Sequence, residues 1–377
     1  MALELTCPVR LTTIPAMKAR KLFGALAVVS LGLLSLLRAQ SPFAAQTAAL
    51  SPAGAVESIK VHGRFLEGNL EGDSPDRDVS IYLPPSYATN RHRRYPVVYF
   101  LHGYDDSSDE WYKSNKHWIN LPLVLNRAFA ESGNREMIFV TPNAFTRYQG
   151  SFYSNSATTG NWEDYIVQEL VPYIDAHFRT IPKRDSRGLA GHSMGGYGTI
   201  RIGMRHPEVF SSIYLLSACC LKFADSFFLE YGPKAETAKT PEAESALEWQ
   251  PRVLIAASAA WSPNPKNPPL FLDLPVKEGK LVEEVAAKFD ANAPLHMIDQ
   301  YVGNLRQLKA IGLDVGNKDS PFLVRGVQQV DGVLTSYDIA HQFGIYEGDH
   351  VNHIADRIET KVVPFFSQNL SFDKQNR

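Results

Sequence analysis

Three cysteines in 377 residues, Cys7, Cys219 and Cys220, exclude a disulfide-stapled scaffold. Adjacent cysteines make a strained staple, so Cys219 and Cys220 read as buried thiols on a core strand. The fold must stand on its apolar core. With 44% hydrophobic residues, the chain can build one large α/β domain or two small ones. An excess of charge is also missing. Lys and Arg number 38 against 40 Asp and Glu, and no basic run resembles a nucleic-acid footprint. The short RHRR at 91–94 reads as a solvated loop. There is no internal repeat, and the uncharged run LFGALAVVSLGLLSLL is short of the about 20 residues that span a membrane.

That run is nevertheless different in kind from the rest. Lys18, Arg20 and Lys21 precede it, and Arg38 and an Ala/Gln/Ser-rich stretch follow. A basic segment, an apolar core and small residues form a secretory signal, with Met17 as an alternative start. No cysteine follows closely, which argues against a lipoprotein anchor. Residues 1–49 carry a formal +4, leaving −6 for the remainder. The expectation is an exported protein, periplasmic or secreted, with a signal and linker over residues 1–50. No stable membrane association is expected unless the segment stays uncleaved as an anchor.

After residue 90, short apolar runs alternate with helical patterns. The runs are PVVYFLH (96–102), EMIFVTP (136–142), RGLAG (187–191), SSIYLLSA (211–218), KAIGLDVG (309–316) and QFGIYEG (342–348). Several are apolar at consecutive positions, as strands buried on both faces require. The clearest helix starts near Asn161, with Trp162, Tyr165, Ile166, Leu170, Tyr173, Ile174 and Phe178 at helical spacing and Pro172 expected to bend it. Such alternation predicts βαβ units and a mostly parallel sheet with helices on both faces. IKVHGRFL and RDVSIYLPPSY read as an antiparallel lead-in. Residues 221–300 break the rhythm with a charged, Ala-rich stretch and five prolines between 263 and 275. Trp261, Leu270, Phe271 and Leu272 argue for an ordered insertion at the sheet's carboxyl edge, where lids lie, over a flexible linker.

The stretch LAGHSMGGYG (189–198) carries chemistry. Gly191-His192-Ser193-Met194-Gly195 matches G-x-S-x-G, the nucleophile elbow of α/β-hydrolases, with a strand before it and a helix ending at Pro207 after it. A serine hydroxyl is a weak nucleophile and needs a base and an orienting carboxylate. In this fold the chain order is Ser, acid, His. In YEGDHVNHI, His350 lies nearer the strand end than His353 and is preferred as base. A metal role for that histidine pair lacks a third ligand at a telling spacing. In GLDVGNKDSPF, Asp319 sits in the loop and is preferred over Asp314, which falls within the strand. Oxyanion donors are expected from the backbone N–H of Met194 and of Tyr104, with Gly103 making the turn. His102 reads as a structural histidine under that loop.

IYLPPSY, YPVVYFLHGYDD, WEDYIVQELVPYIDAHFRT, GLAGHSMGGYGTIRIGMRHPEVFSSIYLLS, DVGNKD and YEGDH resemble the esterase D-like branch of the α/β-hydrolases, over about residues 75–355. That branch includes S-formylglutathione hydrolases, feruloyl and acetylxylan esterases and mycolyltransferases. The resemblance implies an α/β-hydrolase catalytic domain over 55–370 and a Ser193–Asp319–His350 triad. It also implies Tyr104 and Met194 amides in the oxyanion hole, and no cofactor or metal. It implies pocket positions around Tyr153, Ser154 and Asn155; His102 and His192 join them as pocket candidates. The expected substrate is a small-molecule or polymer-linked carboxylic ester. An acyltransferase of the mycolyltransferase type, a thioesterase of the S-formylglutathione hydrolase type, and a silent hydrolase fold used for binding are the alternatives. The export signal and the 221–300 insertion depart from the compact cytosolic members.

Overall fold

The computed structural model describes residues 53–114, 116–117 and 119–373. The expectations for Cys7 and the export segment lie outside that range. Eight strands form one sheet: β1 (Ala55–His62), β2 (Asp76–Leu83), β3 (Val97–Leu101), β4 (Ile138–Pro142), β5 (Arg187–His192), β6 (Ser212–Leu216), β7 (Ala310–Gly316) and β8 (Gln342–Tyr346). Their spatial order is β1-β2-β4-β3-β5-β6-β7-β8. The β1–β2 and β2–β4 pairs are antiparallel, and all pairs from β4 to β8 are parallel. The lead-in strand is shifted against its expected span. It ends at His62, and Arg64–Leu66 form a single 3₁₀ turn.

Strand periodicity divides the core. Val97, Tyr99 and Leu101 of β3 and Ile213 and Leu215 of β6 join the cluster on one face. Val98 and Phe100, with Tyr214 and Leu216, join the cluster on the other. Because both faces are covered, β3 is apolar at every position and β6 at every position after Ser212, the pattern read in the sequence. The first face is covered by α3 (Val171–His177), α4 (Met194–Arg205), the insertion and α9 (Pro321–Ser336). The second is covered by α1 (Ser108–Lys113), α2 (Leu121–Ala130) and α10 (Val363–Asn369).

The bend expected at Pro172 takes a specific form. A proline inside a helix has no N–H, and its ring clashes with the carbonyl four residues back. Here Tyr165–Leu170 widen into a π-helical turn, so that the Val171 N–H reaches the Ile166 carbonyl, five residues back. The same device precedes Pro364, where Ile358–Val362 is π-helical and the Val363 N–H bonds the Ile358 carbonyl. Both helices continue past their proline.

The insertion contains α5 (Asp225–Ala235), α6 (Trp249–Trp261) and α7 (Glu283–Asn292), and α8 (Pro294–Leu305) runs out of its end toward β7. Its proline-rich stretch forms no regular element, but the Ser262 hydroxyl donates to the Asp273 carbonyl (2.7 Å) and Asn264 to the Asp273 carboxylate (2.8 Å). Trp261 packs edge-on against Phe152, Phe223 and Phe289. Most of these contacts order the insertion internally; the Trp261–Phe152 contact, with Tyr148 OH donating to the Leu270 carbonyl (3.1 Å), docks it on the loop after β4.

Candidate active site

The strand order reverses between β3 and β5, because the chain passes from β3 outward to β4 and returns to the other side of β3. Crevices open at the carboxyl ends of strands at such a switch point. There β3 ends before His102-Gly103 and β5 ends at His192, immediately before Ser193.

Ser193 occupies a sharp strand-to-helix turn with φ 56° and ψ −114°. A non-glycine residue in that region stores roughly 1–3 kcal/mol of strain, so the surroundings must hold it. The Ser193 N–H donates to the Leu216 carbonyl (3.0 Å), and its carbonyl accepts from Tyr197 N–H (3.0 Å) and Cys219 N–H (3.1 Å). Crowding explains the flanking glycines. A Cβ on Gly195 would lie 2.0 Å from the Leu101 carbonyl oxygen, and one on Gly191 would lie 2.4 Å from the backbone of Gly195. Cys219 and Cys220 are buried free thiols, but they sit in the loop after β6, beside the serine, and not on the strand as expected.

His350 lies in the loop after β8. Its Nε2 is 2.9 Å from Ser193 Oγ, and its Nδ1 is 2.7 Å from Asp319 Oδ2. The loops after β7 and β8 are laced together: Lys318 N–H donates to the Gly348 carbonyl (2.8 Å) and Gly348 N–H to Asn317 Oδ1 (3.2 Å). The two rejected residues are occupied elsewhere. Asp314 is buried in β7, accepting from Tyr214 OH (2.9 Å) and, on its two oxygens, from Nε and Nη2 of Arg357. His353 faces Asp356 at 3.0 Å.

The loop after β3 approaches the elbow closely. A Cβ on Gly103 would come within 3.5 Å of Ser193 Cβ. The left-handed residue of this turn is Asp105, with φ 60°, so Gly103 is needed for clearance rather than for conformation. The N–H groups on both sides of Tyr104 are tied down, Gly103 to Asp106 Oδ2 (3.2 Å) and Asp105 to the Gln149 carbonyl (2.9 Å). Met194 opens α4, where first-turn N–H groups lack intrahelical acceptors and the helix dipole is positive.

Asp106 is a residue the sequence reading passed over. Its carboxylate, 1% exposed, accepts from Gly103 N–H, from the Trp111 indole (3.2 Å), from Lys116 (2.9 Å) and from His117 (3.1 Å). Burial alone would raise its pKa, but His117 and Lys116 outweigh burial and hold it far below the usual carboxylate range. Its sequence signal was a carboxylate three residues after the His-Gly turn.

A cavity of about 500 Å³ opens over Ser193, His350 and Asp319, with Phe223, Phe227, Tyr231, Trp249, Val253 and Phe322 among its walls. Most of that wall comes from the insertion. The pocket positions expected at His102, Tyr153, Ser154, Asn155 and His192 do not line it; His102, Tyr153, Ser154 and His192 are buried outside its lining, and Asn155 lies exposed at the surface. His102 Nδ1–H donates to the Gly103 carbonyl, and its Nε2 accepts from Ala144 N–H, both at 2.8 Å. Burial lowers its pKa to about 4. Tyr153 OH holds the His102 carbonyl (2.9 Å), Ser154 accepts from the Trp261 indole (3.2 Å), and Asn155 accepts from Asp164 N–H (3.1 Å). His192 Nε2–H donates to the His350 carbonyl (2.9 Å); burial, then His350 itself, pushes its pKa well below the ordinary value and keeps it neutral.

The strand order, the reversal and the strand–turn–helix at Ser193 define an α/β-hydrolase. A family model described as "Putative esterase" matches residues 74–353, and the chain belongs to that esterase family, within the esterase D-like branch. Among curated relatives it is 30% identical over 161 residues to an endo-1,4-beta-xylanase/feruloyl esterase of Xylanibacter ruminicola, covering 41% of this chain and 22% of that protein. It is 30% identical over 141 residues to an esterase of Mycobacterium tuberculosis, covering 36% and 27%. The aligned part thus spans about a quarter of those relatives. Among solved structures, a ferulic acid esterase superposes with a TM-score of 0.59 at 21% identity over 84% of this chain and 99% of that one. Mycobacterium tuberculosis MPT51 superposes at 0.54 with 13% identity, over 85% and 100%.

Proposed function

We propose that this protein is a serine hydrolase of carboxylic esters that works through an acyl-enzyme. One observation carries the reading: a single imidazole lies 2.9 Å from Ser193 Oγ through Nε2 and 2.7 Å from Asp319 through Nδ1. Asp319 fixes the tautomer with the proton on Nδ1, leaving the Nε2 lone pair for the serine. Ser193 Oγ attacks the ester carbonyl as its proton passes to His350 Nε2. The tetrahedral oxyanion develops beside the Tyr104 and Met194 N–H groups, each such donor being worth about 3 kcal/mol of barrier. Collapse expels the alcohol, which takes the proton from His350. Water then enters by the same steps and releases the acid. Ser193→Ala should cut turnover of p-nitrophenyl acetate and butyrate by at least about 10³-fold and abolish fluorophosphonate labelling. Unchanged turnover would sink the reading.

A second reading, transfer of the acyl group to an alcohol acceptor, is favoured by the aromatic walls around Ser193, which limit water. Product analysis with added alcohols or sugars separates the two, a dominant transferred ester meaning transferase. We also propose export, on the strength of the basic, apolar and small-residue succession after Lys18. Recovery of the mature chain only in the cytosol would contradict it.

A further inference from the structure

We propose that the Ser193 cleft continues into a cationic subsite, and that the substrate is an ester carrying an anionic group, such as a carboxylate, beyond an apolar spacer. This rests on the serine-esterase reading above and specifies its substrate class.

A second cavity of about 190 Å³ adjoins the first. The linings of the two share Cys220, Ala224, Phe322 and Leu323, so the cavities lie side by side along one wall, and the proposed ester, in extended form, reaches from one into the other. The walls change in character along this path. Near Ser193 they are aromatic, whereas the far cavity is edged by Lys222, Arg325 and Gln329. Among the described residues neither Lys222 nor Arg325 forms an ion pair or a side-chain hydrogen bond, whereas most basic side chains around the sheet are engaged. Two cations on one small cavity with no carboxylate among its lining residues repel each other, and an anion there relieves both.

Two features of the seam agree. Phe322 and Leu323 belong to the first turn of α9, a helix of 16 residues, so the positive end of its dipole lies beside the junction. The Cys220 thiol is kept neutral by burial and by its neighbour Cys219, so the shared wall holds no thiolate to repel an anion. The acidic groups facing the larger cleft are Asp319, engaged by His350, and Glu230 on α5. Neither borders the second cavity.

Both cations are exposed, so the attraction should be moderate and salt-sensitive. The test compares wild type with Lys222→Gln/Arg325→Gln, two surface changes that leave the core untouched. One series places the charge on the acyl side: p-nitrophenyl hemisuccinate, hemiadipate and hemisuberate against butyrate, hexanoate and octanoate esters. The other places it on the alcohol side: the acetate ester of 4-(hydroxymethyl)benzoate against that of 4-(hydroxymethyl)benzamide. In one series, the anionic-to-neutral ratio of kcat/KM should fall about tenfold in the double variant at low ionic strength, with neutral esters unchanged. The responding series identifies the end of the ester that bears the charge. In wild type, that preference should shrink in concentrated salt. Equal ratios in wild type and variant in both series would overturn the subsite. Failure of wild type to turn over any neutral ester would instead overturn the esterase reading.

Discussion

The Ser193 hydroxyl is ordinary; its neighbours decide what it can do. His350 bridges it to a carboxylate that is 7% exposed, so the acid is shielded and can hold one tautomer. Asp319→Asn should therefore leave the fold intact and lower kcat by about 10³–10⁴-fold with little change in KM, because the amide favours the wrong tautomer. Steady-state kinetics beside a thermal melt check this; a loss confined to KM would count against it. Asp106 acts at one remove, tying Gly103 N–H, Trp111, Lys116 and His117 into one knot under the loop after β3. Displacing catalytic groups by about 1 Å can cost 10²-fold. Asp106→Asn should reduce kcat by about 10–100-fold with nearly constant KM, and full activity would remove its positioning role.

Elements meet at the elbow with no room to spare. The turn between β5 and α4 presses against the end of β3, where a Cβ at Gly195 would overlap the Leu101 carbonyl. Gly195→Ala should cost more than about 3 kcal/mol, since backbone on both sides cannot yield. Gly303, in α8, offers the contrast: nothing lies within 4 Å of its added Cβ. Gly303→Ala should stabilise by about 0.5 kcal/mol through helix propensity alone. Urea midpoints of the two variants test the pair, and a similar shift in both would show that crowding at the elbow is not the cause. The π-helical turns before Pro172 and Pro364 show why helix irregularity was only half legible: proline forbids a regular ladder, but packing chooses between a kink and a widened turn.

Across the whole molecule, stability has a pH limit set in part by one buried histidine. Both His102 ring nitrogens are committed, one donating and one accepting, so the folded state requires the neutral ring. Its folded pKa of about 4 lies below the ordinary 6.5. The unfolded chain therefore binds a proton first as pH falls. The contribution of His102 is fully present above about pH 6.5 and is lost progressively down to about pH 4, amounting to about 3 kcal/mol. Tm measured between pH 7 and 4 should fall less steeply in His102→Gln than in wild type; parallel curves would exclude this histidine as the cause. By itself the sequence determined the parallel sheet, the elbow at Ser193 and the pairing of His350 with Asp319. Each is written locally, as an apolar run, a glycine spacing or a side chain placed just past a strand end. It could not determine what Asp106 grips, that Tyr153 and His192 are buried outside the lining of the cavity, or that the insertion's aromatic residues form its wall. Those depend on which loops distant in the chain come to lie against each other. Side-chain packing across the switch point settles that, and no local pattern encodes it.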